Sequence, residues 1–157
     1  MGFGKAIMVR LSYPGRGLKA VLEVAKLGIV LATYNEAGNL PRLIEELEGL
    51  ALPADVEVLV VDDNSPDGTS DIARGLSERY GNISIITRPG KLGLGSALRQ
   101  GMEAALSGGS TWILTMDADL SHDPKDVPRL LDAAREGADL VQGSRYMPGG
   151  GTRRWSW

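Results

Sequence analysis

The chain has 157 residues, of which 43% are hydrophobic and 24% charged, the balance of one soluble globular domain. Its 17 basic and 20 acidic side chains give a net charge of −3, which argues against general nucleic-acid binding. The absence of cysteine excludes disulfides and thiolate metal sites, and the single histidine, His122, limits any Ser-His-Asp triad to that residue.

The first 26 residues are basic, because they contain five Lys or Arg residues and one acidic residue, Glu23. Pro14, Gly15 and Gly17 interrupt any helix there, and no continuous apolar core of a secretory signal is present. We therefore expect residues 1–26 to be a loosely ordered extension, with a membrane-surface or targeting role as the alternative. The folded domain is expected over residues 27–157.

Strand and helix patterns alternate from Leu27 onward. Short apolar runs predict five buried strands, at Leu27–Ala32, Val56–Val61, Ile83–Thr87, Trp112–Met116 and Leu140–Gln142. Apolar residues at helical spacing predict four helices between these strands. The first, second and fourth helices are predicted to be capped at Asn39, Thr69 and Asp126. The second, third and fourth are predicted to end at Gly81, Gly108 and Gly137. This alternation is typical of an α/β fold with an open, mostly parallel sheet and helices on both faces.

Acidic residues follow three of the predicted strands. Ligands of such sheets bind outside the carboxyl ends of the strands, so these residues are candidates for a site. Like charges at one rim repel, so we expect a divalent cation or hydrogen-bond donors to face them. The five carboxylates expected to gather there belong to Glu36, Asp62, Asp63, Asp117 and Asp119.

Each motif also has a purely structural interpretation. Asp62 and Asp63 precede turn-forming residues, and Glu36 resembles an acidic residue at a helix start. The segment 90–95 (GKLGLG) matches neither common glycine-rich phosphate loop and is interpreted as a strand-to-helix turn. We expect His122 to play a structural part rather than to act as a general base.

Four motifs in order resemble family 2 of the glycosyltransferases, and more narrowly the dolichyl-phosphate (polyprenyl-phosphate) mannosyltransferases. They are 33–36 (TYNE), 60–69 (VVDDNSPDGT), 116–122 (MDADLSH) and 143–146 (GSRY). The resemblance runs from about Leu27 to Trp157. It implies a GT-A fold, which is a Rossmann-like nucleotide-sugar-binding fold.

The resemblance implies a nucleotide side of the site formed by the first two loops. Ala32, Tyr34 and Glu36 map to the loop that holds the nucleotide, with Ala32 in the place of the usual proline. Val61 and Asp63 map to nucleoside contacts, and an ionised aspartate accepts the N–H donors of a guanine edge.

The resemblance implies a phosphate side formed by the later loops. Asp117, Ala118 and Asp119 map to the site for a metal, Mg²⁺ or Mn²⁺, and the diphosphate. Ser121 stands where some family members have a glutamine ligand to the metal. Arg145 maps to an arginine that contacts phosphate, for which a guanidinium fork is suited.

The implied reaction is transfer of mannose from GDP-mannose to a dolichyl or polyprenyl phosphate with inversion at the anomeric carbon. The resemblance also implies a cytoplasmic protein, peripheral at the membrane face, with a possible partner subunit. The glycine-rich end followed by Trp155 and Trp157 predicts a domain truncated at its C-terminus, with uncertain activity.

Three alternatives stay open from the sequence. A glucosyltransferase acting on polyprenyl phosphate, or another family 2 enzyme using a UDP-sugar, would share almost every motif. A non-catalytic nucleotide-binding fragment is the second. A phospho-acceptor receiver domain is the third and the least favoured, because receivers place their acidic pair after the first strand, whereas Asp62 and Asp63 follow the second predicted strand.

Overall fold

Strands and helices alternate through the computed structural model, which describes residues 6–10 and 25–144. The strands are β1 Ile7–Arg10, β2 Lys26–Thr33, β3 Asp55–Asp62, β4 Ile83–Thr87, β5 Trp112–Asp117 and β6 Leu140–Gln142. The helices are α1 Leu40–Glu48, α2 Thr69–Tyr80, α3 Leu94–Ser107 and α4 Val127–Arg135, the last preceded by a 3-10 turn at Pro124–Asp126. None of the helices within the described ranges is long and apolar enough to cross a membrane.

The six strands form one sheet in the order β4-β3-β2-β5-β1-β6. Strand β2 pairs in parallel with both β3 and β5, and β3 pairs in parallel with β4. The carboxyl ends of these four strands therefore meet at one edge of the sheet. The open, mostly parallel sheet predicted from the alternating pattern is confirmed.

Strand β1 differs from the prediction for the N-terminal segment. We expected a loosely ordered extension over residues 1–26, whereas Ile7–Arg10 pairs antiparallel with both β5 and β6 and Met8 is fully buried. A four-residue run was too short to identify as a strand, and its partners lie at the other end of the chain. The rest of the expected extension, apart from Ala6, Ala25 and Lys26, lies outside the described residues.

Helices cover both faces of the sheet, as predicted. On one face, β2 side chains such as Ile29 and Leu31 pack in a large apolar cluster with α1, α2 and α4. On the other face, Val30 of β2 packs with Val61 of β3 and with α3. Alternate residues of β2 thus face opposite helix layers, which explains the continuous apolar run in its sequence.

The helix starts differ in detail from the predicted caps. Asn39 and Asp126 occupy the expected N-cap positions of α1 and α4, but neither side chain makes a capping hydrogen bond. Gly68, with φ of 87°, is the N-cap residue of α2, and Thr69 is instead the first residue of that helix. The Thr69 side chain is used between two loops, as described below.

Replacing Gly101 of α3 by alanine should destabilise the protein, because the added Cβ would lie 2.3 Å from Val30 Cγ1 and 3.0 Å from Val61 Cγ2. Overpacking of this kind lowers the free energy of unfolding by about 1–3 kcal/mol, measured by urea denaturation. The control is Gly75→Ala in α2, where no heavy atom lies within 4 Å of the new Cβ. That change should raise the free energy of unfolding by about 0.5–1 kcal/mol. Equal stabilities for the two variants would contradict the close packing of α3.

Candidate functional site

Three loops at the carboxyl edge of the sheet contain unusual backbone geometry. Asn35, Asn64 and Leu120 follow β2, β3 and β5 respectively, and their φ angles are 62°, 56° and 61°. Positive φ is uncommon outside glycine and unfavourable for a residue such as leucine. Strain of this kind concentrates at functional sites. Here it occurs at the edge of the sheet where the parallel strands end.

Asp62 is a buried carboxylate that joins three segments. It accepts hydrogen bonds from Thr33 Oγ1 at 2.9 Å, from the Ser65 backbone N–H at 2.9 Å and from Ser70 Oγ at 2.7 Å. Ser65 Oγ donates a further hydrogen bond to it. Burial raises the pKa of Asp62, but the hydrogen bonds from Ser65, Ser70 and Thr33 outweigh this and hold the pKa below its usual range. Asp62 is therefore ionised, satisfied by the protein and closed to a ligand.

The loops after β2 and β3 are also joined directly. Three backbone N–H groups of the first loop donate to side chains of the second, from Asn35 to Ser65 Oγ, from Glu36 to Thr69 Oγ1 and from Ala37 to Asp67 Oδ2, each at 3.0 Å. Hydrogen bonds from Thr69, together with that from Ala37, hold the pKa of Asp67 below its usual range. The two loops therefore form one unit.

Asp63 pairs with an arginine that sequence reasoning missed. Its Oδ1 lies 2.9 Å from Arg88 Nη1, and both side chains are buried. Its Oδ2 accepts the backbone N–H groups of Leu92 and Gly93, at 3.0 and 3.1 Å. Arg88 directly follows β4, the neighbour of β3 in the sheet. A basic residue at the end of that strand was the signal available in the sequence.

Asp117 and Asp119 form the other acidic pair, at the end of β5. Asp117 is half-buried, Asp119 is exposed, and no Lys or Arg among the described residues forms an ion pair with either. Burial raises the pKa of Asp117 and repulsion from Asp119 adds to the rise, whereas the neighbouring His122 acts in the opposite direction. The backbone N–H of Asp117 donates to His122 Nδ1 at 2.9 Å, so His122 holds the end of β5 in place.

The five carboxylates do not form one metal site. Within residues 6–10 and 25–144, no group of three or more His, Asp or Glu side chains is arranged to hold a metal ion. Internal donors reach both oxygens of Asp62 and Oδ2 of Asp63, whose Oδ1 is ion-paired with Arg88 but accepts no hydrogen bond among the described residues. Glu36 accepts a hydrogen bond from Asn39 Nδ2 at 2.8 Å. Hydrogen-bond donors of the protein therefore face part of the rim. This is one of the two arrangements expected from the repulsion between its carboxylates, the other being a bound divalent cation.

The remaining pair, Asp117 and Asp119, fits a site in which a divalent cation is bound by two carboxylates and by phosphate oxygens of a substrate. Mg²⁺ is commonly bound by one or two carboxylates, with waters and phosphate oxygens completing its coordination. Burial, together with the neighbouring Asp119, raises the pKa of Asp117, so a cation beside the pair would stabilise its ionised form. Asp119 Oδ1 accepts the backbone N–H of Ser121 at 2.9 Å, which orients it, and Ser121 itself is exposed beside the pair.

The other predicted site residues differ in their accessibility. The Tyr34 ring is 37% exposed, and Lys91 Nζ lies 4.0 Å from its centroid. Ala32 is half-buried, whereas Val61 and Ala118 are buried, so the Val61 side chain packs against α3 rather than facing the rim. Arg145 lies outside the described residues.

Comparison of the sequence with known protein families gives a match over most of the chain. The profile described as "Glycosyl transferase family 2" matches residues 28–157. The chain belongs to this family.

Two curated relatives narrow the similarity within the family. The chain is 44% identical over 130 residues to the polyprenol monophosphomannose synthase of Mycolicibacterium smegmatis, covering 82% of this chain and 48% of that protein. It is 38% identical over 130 residues to the dolichol-phosphate mannosyltransferase of Pyrococcus furiosus, covering 83% of this chain and 36% of that protein. The chain thus spans half or less of the length of these relatives. The predicted family resemblance is confirmed.

Solved structures confirm the predicted GT-A fold. The mannosyltransferase PcManGT from Pyrobaculum calidifontis, in complex with GDP-Man and Mn²⁺, aligns with a TM-score of 0.54 and 24% identity, over 62% of this chain and 28% of that chain. S. aureus TarS 1-349, in complex with UDP-GlcNAc, aligns with a TM-score of 0.56 and 23% identity, over 70% of this chain and 32% of that chain.

Replacing Asp62 by asparagine should lower the free energy of unfolding at neutral pH, by about 1.5–3 kcal/mol for a lost charge-assisted network. Because the folded pKa is lowered, the stability that Asp62 contributes is complete above the usual aspartate range. It is lost as the pH falls from that range towards the folded pKa. The free energy of unfolding of Asp62→Asn, measured by urea denaturation from pH 7 to pH 3, should therefore fall less steeply. The exposed Asp132→Asn variant is the control, and an equal pH dependence in both variants would contradict the role of Asp62.

Replacing Asp117 by asparagine should have the opposite effect on the ligand-free protein. A raised folded pKa means that the ionised carboxylate is less stable in the folded protein than in the unfolded chain, so removing the charge should raise the melting temperature at pH 7. Differential scanning fluorimetry without metal measures this change, again with Asp132→Asn as control. A melting temperature below that of the parent would contradict the prediction that the ionised Asp117 carboxylate destabilises the folded protein.

Proposed function

We propose that the chain is the nucleotide-sugar half of a metal-dependent glycosyltransferase that moves mannose from GDP-mannose to a dolichyl or polyprenyl phosphate. The observation that carries the proposal is the Asp117–Asp119 pair, whose charge no Lys or Arg of the described residues neutralises. The names of the two curated relatives support the mannosyl group and the polyprenol acceptor. The metal and the guanine nucleotide are supported by the solved mannosyltransferase with GDP-Man and Mn²⁺.

In this proposal Asp117 and Asp119 hold Mg²⁺ or Mn²⁺, with Ser121 beside them. When bound, the cation stabilises the negative charge that develops on the departing diphosphate. The Ser121 N–H orients the Asp119 carboxylate, and the hydrogen bond from the Asp117 N–H to His122 fixes the backbone that carries the Asp117 side chain. The Asp119 carboxylate and the Asp117 backbone are therefore set in place before substrate arrives.

The transfer needs no general base from the protein. A phosphate monoester has a second pKa of about 6, so the acceptor is already an anionic nucleophile at neutral pH. One of its oxygens attacks the anomeric carbon from the face opposite the diphosphate. The bond between that carbon and the diphosphate oxygen breaks, its electron pair leaves with GDP, and the configuration inverts. His122 agrees with this scheme because its Nδ1 already accepts the Asp117 N–H.

The remaining residues bind the two anionic substrates. Tyr34 offers an exposed ring for the nucleoside, near Ala32 at the end of β2 and Glu36 of the same loop. Arg145, by the family resemblance, supplies positive charge for phosphate. Because the acceptor is a membrane lipid, we propose that the reaction takes place with the protein peripheral at a membrane surface.

Transfer from a UDP-sugar is the second candidate. S. aureus TarS, in complex with UDP-GlcNAc, aligns with a TM-score of 0.56, against 0.54 for the mannosyltransferase. The fold alone therefore leaves the base undecided, and the choice between GDP and UDP is a matter for direct binding measurements.

The test is calorimetric titration of GDP and of UDP into the protein, each with and without Mn²⁺. We expect metal-dependent binding of GDP that is stronger than binding of UDP. Asp119→Ala should abolish the metal-dependent part, whereas Asp132→Ala, which removes the same charge from the exposed face of α4, should leave it unchanged.

Each outcome points to one interpretation. Preference for UDP would favour the UDP-sugar candidate, and Asp119→Ala binding GDP with Mn²⁺ as well as the parent would refute the metal assignment. Transfer is then followed as mannose entering the lipid fraction of vesicles that carry polyprenyl phosphate. GDP binding without transfer would favour a non-catalytic nucleotide-binding unit.

A further inference from the structure

The segment between β4 and α3, residues 89–93, reaches the candidate site without any regular structure of its own. We call it the 89–93 loop. Its Lys91 ammonium group lies 4.0 Å from the centroid of the exposed Tyr34 ring, a cation–π contact. Tyr34 is the residue proposed to contact the nucleoside. The 89–93 loop, which lies against Tyr34, would therefore form one side of the nucleoside site.

The far end of the loop is held by Asp63. The Asp63 Oδ2 atom accepts the N–H groups of Leu92 and Gly93, immediately before α3 begins. A carboxylate at the N-terminus of a helix is also stabilised by the helix dipole. Gly93 has φ of 97°, so the chain takes at this point a conformation that side-chain-bearing residues rarely adopt.

Arg88 holds both Asp63 and the loop. Its Nη1 lies 2.9 Å from Asp63 Oδ1 and donates to the Gly93 carbonyl at 3.3 Å, and its Nη2 donates to Ser96 Oγ. The Arg88 and Asp63 side chains are 4% and 6% exposed. The guanidinium plane thus spans the carboxylate, the loop and the first turn of α3.

This arrangement is costly for a simple turn. Burying two charges carries a desolvation penalty that their attraction offsets only with good geometry and further hydrogen bonds. The Nε atom of Arg88 and the Oδ1 atom of Asp63 are both buried without a hydrogen-bond partner among the described residues, which adds to the cost. A neutral side chain would close an ordinary strand-to-helix turn at lower cost, so the pair has a use beyond the turn.

We propose that Arg88 is a positioning residue of the nucleotide site: it orients Asp63 and, through Asp63, fixes the 89–93 loop against Tyr34. Arg88 does not touch the nucleotide, because its side chain is buried and its two Nη atoms are occupied by Asp63, Gly93 and Ser96. The nucleotide part of this inference rests on the proposed function. The arrangement of the loop in the ligand-free protein does not, which allows the two to be tested separately.

The first measurement is backbone amide hydrogen exchange at Leu92 and Gly93 in the ligand-free protein, followed by NMR. In Arg88→Gln, exchange at these amides should be about tenfold faster or more, because their acceptor is no longer held. Arg88→Lys keeps the charge without the fork and should restore part of the protection. The matched control is Arg99→Gln, which removes an arginine from an exposed ion pair with Glu103 on α3 and should leave exchange unchanged.

The second measurement is GDP binding with Mn²⁺ by calorimetry, on the folded fraction of each variant. Arg88→Gln should bind GDP about tenfold more weakly and discriminate less between GDP and UDP, a change in the affinity of folded protein that lost stability alone would not produce. Arg88→Lys should recover part of the affinity. If Arg88→Gln does not fold, Arg88→Lys, which keeps the buried pair charged but lacks the fork, carries both measurements and should bind GDP more weakly than the parent.

The outcomes separate this inference from the proposed function. Unchanged exchange at Leu92 and Gly93 overturns the role of Arg88 in the loop. Faster exchange with unchanged GDP affinity overturns the connection between the loop and the nucleotide. A parent chain that binds neither GDP nor UDP overturns the proposed function and the nucleotide part of this inference, while the exchange data still decide whether Arg88 holds the loop.

Discussion

The buried negative charge of Asp62 is the constraint on which the candidate site depends. An ionised carboxylate out of water needs hydrogen-bond donors, and here they come from the end of β2, from the loop after β3 and from α2. Satisfying one side chain therefore brings three segments of the chain to one point. The loops that carry Tyr34 and Asp63 start from this point, and their mutual hydrogen bonds extend the same order outward.

Four aspartates at one edge of the sheet serve two different ends because their surroundings differ. Asp62 has serine and threonine donors, and Asp63 has an arginine and two backbone N–H groups. Asp117 and Asp119 repel each other, with little compensation from the protein. The first two stabilise the folded loops, whereas the second two carry charge that no Lys or Arg of the described residues pairs with. Identical side chains acquire different roles through the groups that face them.

The architecture could be predicted from the sequence more fully than the contacts at the site could. Apolar runs and helical spacing predicted five strands and four helices, because burial on both faces of a parallel sheet leaves a strong pattern. The short Ile7–Arg10 strand left no such pattern. Strand ends located the acidic residues correctly, but the pattern of residues carries no information on which donors reach Asp62 or Asp63. Arg88 was missed for that reason, since its role arises from burial between β3 and α3. The metal ligands and the nucleotide contacts stay predictions.

The position of β1 between β5 and β6 has a consequence for the order of folding. Ile7 is paired with Thr115 and with Gln142, so the first of the described strands finds its partners only near the end of the described sequence. During synthesis the β2–β3–β4 part of the sheet can assemble from neighbouring segments, whereas β1 must wait until β5 has left the ribosome. Pairings so distant along the chain form slowly. Until they form, β5 presents an open edge to other chains, and nascent protein at high concentration is then exposed to misassembly.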